Sequence, residues 1–266
     1  MHPGGVFDIL PNRNVRYGKS GADERRDLVG VEAKVQGRVE VSDETLTARQ
    51  KDVLDAALGL LVESGDTLTM TGVARRASCS KETLYKWFGD RNGLLTATVQ
   101  WQASKVRVAP VAREGLNAKS LLASLEGFAR GWLTVLSGEI SVALNRLAVS
   151  HAGSGKSDLG QIVLANGPFA MARRLKPVLE IGREAGLLSF KDTDEAFRTF
   201  FGLVVRDMQI RLLLGDRLEA TDASIARDAE RATQQFFALY GAKSETAPGA
   251  GADKNTRKGI PHARFL

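Results

Sequence analysis

The sequence predicts an all-α protein of about nine helices, in which a three-helix unit containing a helix-turn-helix is joined to a larger helical bundle. Three features carry that expectation. Apolar residues recur at i, i+3, i+4 and i+7 through most of residues 47–241, the spacing that lines one face of a helix. Several periodic runs open on Thr, Ser or Asp, whose side-chain oxygens can accept from the otherwise unpartnered first amides of a helix. Glycine or proline then falls near places where the period breaks.

The first helix opens at Thr47 as N-cap and stripes Leu54, Ala57, Leu58 and Leu61 before Gly65 ends it. A short second helix, capped by Thr69, carries Met70, Val73, Ala74 and Ala77 on one face and is interrupted at Ser78 and Cys79. Ser80 caps a third short helix whose Leu84 and Phe88 face inward. Asp90 caps a fourth, reaching to about Val108, with Leu95, Val99, Gln102 and Val106 on one side and Leu94, Ala97 and Trp101 on another. Two apolar sides mean two packing partners.

Five further helices are expected beyond Pro110. Residues 118–137 stripe Leu121, Leu125, Phe128, Ala129, Trp132 and Leu136, and residues 139–151 form a shorter helix. Residues 158–186 hold one long helix or two, with breaks expected near Asn166, Gly167 and Pro168 and again at Pro177, since proline lacks an amide hydrogen and clashes with the preceding turn. Residues 193–214 are apolar on more than one face, and residues 222–240 stripe Ile225, Ala229, Ala232, Phe236, Leu239 and Tyr240.

Composition narrows the function classes. The single cysteine, Cys79, cannot form an intramolecular disulfide and excludes a Cys-based zinc finger. No run of about 18 apolar residues is present and Met1 to Leu10 lack a secretory layout, so a cytoplasmic, nucleoid-associated protein with no membrane partner is expected. The formal net charge is +6, and residues 47–108 hold nine basic against six acidic residues. That is a modestly basic segment of the kind that meets nucleic acid. Residues 1–46 show no sustained period and residues 242–266 are rich in Ala, Gly and Pro, so both are expected to be disordered, the tail being basic.

Two short helices joined by a few residues, the second bearing Lys, Thr and Tyr, suit a device that lays one helix in the DNA major groove. The particular residues say more. Val53 to Gly65 (VLDAALGLLVESG), Thr69 to Ala77 (TMTGVARRA) and Ser80 to Phe88 (SKETLYKWF) closely resemble the N-terminal domain of the TetR family over about residues 47–108. Departures are Ser78 and Cys79, where the family usually has Gly then Val, and Gly72, where it usually has a longer residue.

The resemblance implies a transcriptional regulator, expected to be a repressor, that binds double-stranded operator DNA as a homodimer and is released by a small-molecule effector of unknown identity. It implies a DNA-contacting set of Thr69, Thr71, Ser80, Lys81, Glu82, Thr83, Tyr85, Lys86, Trp87 and Arg91, with Tyr85 and Arg91 meeting backbone phosphate. It also implies that residues 109–241 bind ligand and dimerise, with a cavity among the fifth to eighth helices and the last two helices pairing with their copies.

Large side chains near such a cavity are Trp101, Phe128, Trp132, Phe169 and Met171, the expected surroundings of an apolar or aromatic effector. Phe197, Phe201, Val205, Met208, Phe236 and Tyr240 make the last two runs too apolar for a monomer surface and are the expected dimer contacts.

Two other classes fit the residues less well. Gly155, Lys156 and Ser157 end like a phosphate-binding loop, but the motif beginning at position 150 has Ser150 in place of Gly and follows a helical segment, not a strand, so the stretch from Gly153 to Ser157 reads as an interhelical loop. His2, His151 and His262 are isolated, and no metal spacing or catalytic nucleophile is present, so neither an enzyme nor a cofactor is expected. A helical interaction module without DNA binding would leave Lys81, Thr83 and Tyr85 without a role.

Overall fold

The computed structural model describes residues 45–64, 68–152 and 158–242, and eleven helices lie within them. In chain order they are α1 (Ala48–Ser64), α2 (Met70–Arg76), α3 (Lys81–Phe88), α4 (Arg91–Ser104), α5 (Ala118–Ser137), α6 (Glu139–His151), α7 (Leu159–Asn166), α8 (Pro168–Glu184), α9 (Thr193–Val205), α10 (Met208–Leu213) and α11 (Asp222–Tyr240). The chain is all-α. An isolated antiparallel bridge between Leu188 and Gly241 ties the loop after α8 to the end of α11.

The two helices beyond the expected nine come from splitting residues 158–186 and 193–214. The first split falls at Gly167, where a Cβ would stand 2.8 Å from the Val163 carbonyl oxygen, and Pro168 then opens α8. The second falls at Arg206, whose φ of 47° no helix accommodates. The break expected at Pro177 is corrected: α8 runs through it. Pro177 faces solvent, whereas Leu175, Val178 and Leu179 around it are buried. Core packing on that face outweighs the one missing donor.

Side chains pack into two cores, and α4 belongs to both. Val53, Leu54, Leu68, Val73, Leu84, Leu94, Leu95 and Val99 form the first, which also takes in Leu144 and Ala148 from α6 and Leu159 from α7. The second gathers Ala103 and Val106 at the end of α4 with the apolar faces of α5, α8, α9 and α11, centred on Phe128, Phe200 and Phe236. Phe200 and Phe236 meet edge to face at 5.2 Å between ring centres. Side chains of α6 and α7 thus join the bundle to the core of the first four helices.

Local chemistry fixes the helix ends. Asn117 and Ser120 form a reciprocal capping box at the start of α5, and Asp192 and Thr221 cap α9 and α11. On the surface of the first unit, Arg76 of α2 makes two hydrogen bonds of 2.8 Å to the Glu63 carboxylate of α1. The Arg76 guanidinium holds that carboxyl below the usual range, first by hydrogen bonding and then by its charge.

Candidate nucleic-acid interface and cavity

Three side-chain caps set the geometry of α2, α3 and α4. The Thr69 hydroxyl accepts from the Gly72 amide at 3.0 Å, the Ser80 hydroxyl from the Thr83 amide at 3.1 Å, and the Asp90 carboxylate from the Gly93 amide at 2.6 Å. Between α2 and α3 the chain reverses through Ser78, at φ 48°. The Ser78 amide donates to the Arg75 carbonyl at 3.3 Å and the Cys79 amide to the Ala74 carbonyl at 2.9 Å, the paired bonds of a helix end that normally takes glycine. Arg49 of α1 reaches over this turn and donates to the carbonyls of Ala77 and Ser78.

Leu84 is fully buried and anchors α3, so the opposite side of the helix faces outward. Lys81, Glu82, Tyr85 and Lys86 are exposed there, and Thr69, Thr71 and Ser80 are exposed beside them. Tyr85 keeps 52% of its surface open although it is a large aromatic, so it is not a core residue. The Glu82 carboxyl is held below its usual range by hydrogen bonds from its own backbone amide and then from the Ser80 hydroxyl, so it remains an anion serving the start of α3. Thr83 is half-buried, its hydroxyl 3.0 Å from that of Ser80.

Two further members of the expected set are also only partly open to solvent. Trp87 is half-buried against the core, edge to face with Phe88 at 6.1 Å. Arg91 is half-buried and its Nε donates to the Leu68 carbonyl at 2.7 Å, tying the start of α4 to the segment before α2. Both help to hold the unit together.

A cavity lies below this unit, between α4 (Val99, Gln102), α5 (Trp132, Val135), α6 (Ser141, Asn145) and α8 (Met171), with Phe201 and Gln209 closing it. The space between the lining side chains, including its mouth open to solvent, is about 610 Å³. Of the five large side chains singled out in the sequence, Trp132 and Met171 line it. Trp101, Phe128 and Phe169 do not line it.

Trp101 stands on the far side of α4, its indole nitrogen donating to Asp55 at 2.8 Å and its face covered by Lys51 and Lys105. Phe128 is fully buried against Phe200, and Phe169 is 39% exposed. Sequence reading missed Gln102, Ser141, Asn145, Phe201 and Gln209 as cavity residues; the available signal was Gln102, a polar residue inside an apolar stripe. Gln102 is buried, its Nε2 donating to the Ser141 hydroxyl at 3.0 Å while its Oε1 accepts from Lys105 at 3.0 Å.

Of the expected dimer contacts, Phe197, Val205 and Phe236 are buried within one chain, so the protomer's own core already uses them. Phe201, Met208 and Tyr240 are half-buried, and the Tyr240 hydroxyl lies 3.1 Å from that of Thr199. Leu239 on α11 is 63% exposed. Residues 153–157, which carry the phosphate-loop-like stretch, Gly65, and the expected tails over residues 1–44 and 243–266 lie outside the described residues. No described helix is long and apolar enough to cross a membrane.

Comparison with known proteins agrees with this geometry. The profile of the AefR-like transcriptional repressor C-terminal domain matches residues 123–242. The crystal structure of a TetR transcriptional regulator from Agrobacterium tumefaciens is 44% identical to this chain over 74% of it and 97% of that chain, with a TM-score of 0.64. The flavonoid-responsive regulator FrrA is 27% identical, over 74% of this chain and 98% of its own, at a TM-score of 0.55. A TetR-family regulator from Mesorhizobium loti shares the fold at 23% identity and a TM-score of 0.57, over 73% of this chain and 96% of its own. No curated protein matches the chain by sequence.

Proposed function

Because the chain belongs to the TetR family of DNA-binding transcriptional regulators, we propose that it is a ligand-responsive repressor that binds a near-palindromic operator as a homodimer and is released by a small-molecule inducer. The observation that carries the reading is the outward face of α3, where Lys81, Tyr85 and Lys86 are exposed on a helix whose opposite side is locked by Leu84. A helix held in that way can enter the major groove without rearranging the core behind it. Lysines and a phenol then supply phosphate contacts and base-edge donors together. The match to a repressor C-terminal domain favours repression over activation.

Two copies would present two α3 helices to successive major grooves, roughly 34 Å apart along B-form DNA. The outer faces of α10 and α11, with Met208 and Tyr240 half-buried and Leu239 exposed, are the surfaces we assign to the partner copy. The cavity below α4 is the effector site in this reading. Its occupant need only prefer a conformation in which the two α3 helices are wrongly spaced; a coupling of about 1–3 kcal/mol gives roughly 5- to 150-fold release. That one similar structure belongs to a flavonoid-responsive regulator supports an aromatic effector. The site of action is the cytoplasm, at the nucleoid.

The test is a gel shift of the full chain against the DNA upstream of its own coding sequence, with unrelated DNA of equal length as competitor. Specific retardation that Lys81→Ala and Tyr85→Ala both abolish is the expected result. Equal affinity for the two DNAs, or binding indifferent to both substitutions, would sink the reading.

A further inference from the structure

We propose that the cavity accepts an uncharged, flat aromatic molecule bearing a hydroxyl or carbonyl group, which lies against Trp132 and Phe201 and is hydrogen-bonded by Ser141, Asn145 and Gln209. This rests on the reading of the cavity as an effector site and adds the chemistry that the site selects.

The apolar wall is aromatic where it matters. Trp132 and Phe201 both line the space, their ring centres 5.2 Å apart and tilted by 45°, and the Trp132 ring is backed by a stacked Phe197 at 6.2 Å. Rings fixed in this way present a stiff surface that a flat ring system can cover with little loss of freedom. Met171, also in the wall, adds a polarizable thioether that suits an aromatic guest.

The polar wall offers hydrogen bonds but no charge. No Asp, Glu, Lys, Arg or His is among the described lining residues. The Ser141 hydroxyl accepts from Gln102 and retains its own hydrogen to donate. Asn145 gives its amide nitrogen to the Ser141 backbone carbonyl at 2.7 Å, which leaves its side-chain oxygen as an acceptor. Gln209 reaches the same space with a whole amide.

A charged guest would leave water without a counter-ion, a heavy penalty, whereas a hydroxyl or carbonyl finds both a donor and an acceptor. Nearby cations are already engaged. Lys105 is held by Gln102 Oε1, by Asp55 at 3.8 Å and by the Trp101 face, and Arg174 donates to the Ala103 and Val106 carbonyls at 2.7 and 3.1 Å.

Three probes of one shape isolate the chemistry: 2-naphthol, 2-naphthoate and naphthalene, titrated into the full chain at pH 7 by calorimetry. We expect 2-naphthol to bind at least tenfold more tightly than 2-naphthoate, and more tightly than naphthalene. Ser141→Ala and Gln209→Leu should each weaken 2-naphthol several-fold while leaving naphthalene unchanged, a pattern that a merely loosened cavity would not give. Absence of 2-naphthol binding at millimolar concentration, 2-naphthoate binding as tightly as 2-naphthol, or equal loss of 2-naphthol and naphthalene affinity in the variants would overturn the proposal. Repeating the gel shift with saturating 2-naphthol separates the two layers. Binding with the expected selectivity but no release of DNA leaves the ligand chemistry standing and removes the effector reading. Release by 2-naphthoate alone does the reverse.

Discussion

A Cβ on Gly93 would stand 2.0 Å from the carbonyl oxygen of Phe88, so α4 starts where the last turn of α3 leaves no room for any side chain. Gly93 is also buried, and its amide is the donor that the Asp90 cap receives. The way α4 leaves the end of α3 is therefore constrained by one backbone-to-backbone approach.

Gly93→Ala should force that approach open. Overpacking of this kind typically costs about 1–3 kcal/mol, and here the strain falls on the seat of α3. Thermal unfolding should occur at lower temperature, and DNA affinity should drop more than the fraction still folded explains. Normal affinity in the folded protein would show that α3 is held by Leu84 alone.

At Ser78 the expected change has the opposite sign. A side chain at positive φ is strained by about 1–2 kcal/mol, and the extra freedom that glycine has in the unfolded chain gives back roughly 0.5–1 kcal/mol. Ser78→Gly should thus stabilise the protein by about 0.5–1 kcal/mol in urea unfolding, with DNA binding unaltered. Destabilisation would mean that the Ser78 side chain contributes more than its strain.

Affinity for DNA should be dominated by phosphate contacts and should fall on the order of a thousandfold between 50 and 200 mM salt if about six phosphates are neutralised. Tyr85→Phe should weaken all sequences alike, because a hydroxyl on phosphate reads no base, whereas Lys86→Ala should relax preference at one base step. Anisotropy titrations on operator and scrambled duplexes separate the two. A salt-independent affinity would count against the interface.

Assembly can be probed on exposed and buried positions of one helix. Leu239→Asp, on the open face of α11, should leave the monomer folded and move sedimentation from dimer to monomer, since a stable dimer of this kind buries about 2,000 Å² or more. Phe236→Asp places a carboxylate in the protomer core and should unfold the chain instead. A dimer that survives Leu239→Asp would place the interface elsewhere.

The Glu63 and Arg76 pair predicts a pH response of known sign. The folded pKa of Glu63 lies below its ordinary value of 4.5, so its contribution is complete above that value and is lost as pH falls through the folded one. Glu63→Gln should lower the melting temperature near neutral pH, and the difference from the unsubstituted chain should vanish in acid. A difference that persists unchanged in acid would show that the carboxylate charge is irrelevant there.

Cap residues and apolar spacing determined the helices, because both act within one or two turns: Thr69, Ser80 and Asp90 hold the amides that their positions suggest, and the bounds of α5, α6 and α11 follow their stripes. The local motif around Tyr85 likewise carried the family. Where a stripe points was beyond the sequence, since spacing gives a face but not the neighbour across from it. Phe128 and Trp132 share one stripe of α5, four residues apart, yet Phe128 is enclosed by Phe200 while Trp132 borders the cavity. The same holds for Phe236, which the core of its own chain encloses while Leu239 on the same helix stays exposed. The packing of α6 and α7 on the first unit, the rotation of α5 against α9, and the approach of Gly93 to Phe88 arise between residues distant in sequence or across a turn, and only the assembled chain fixes them.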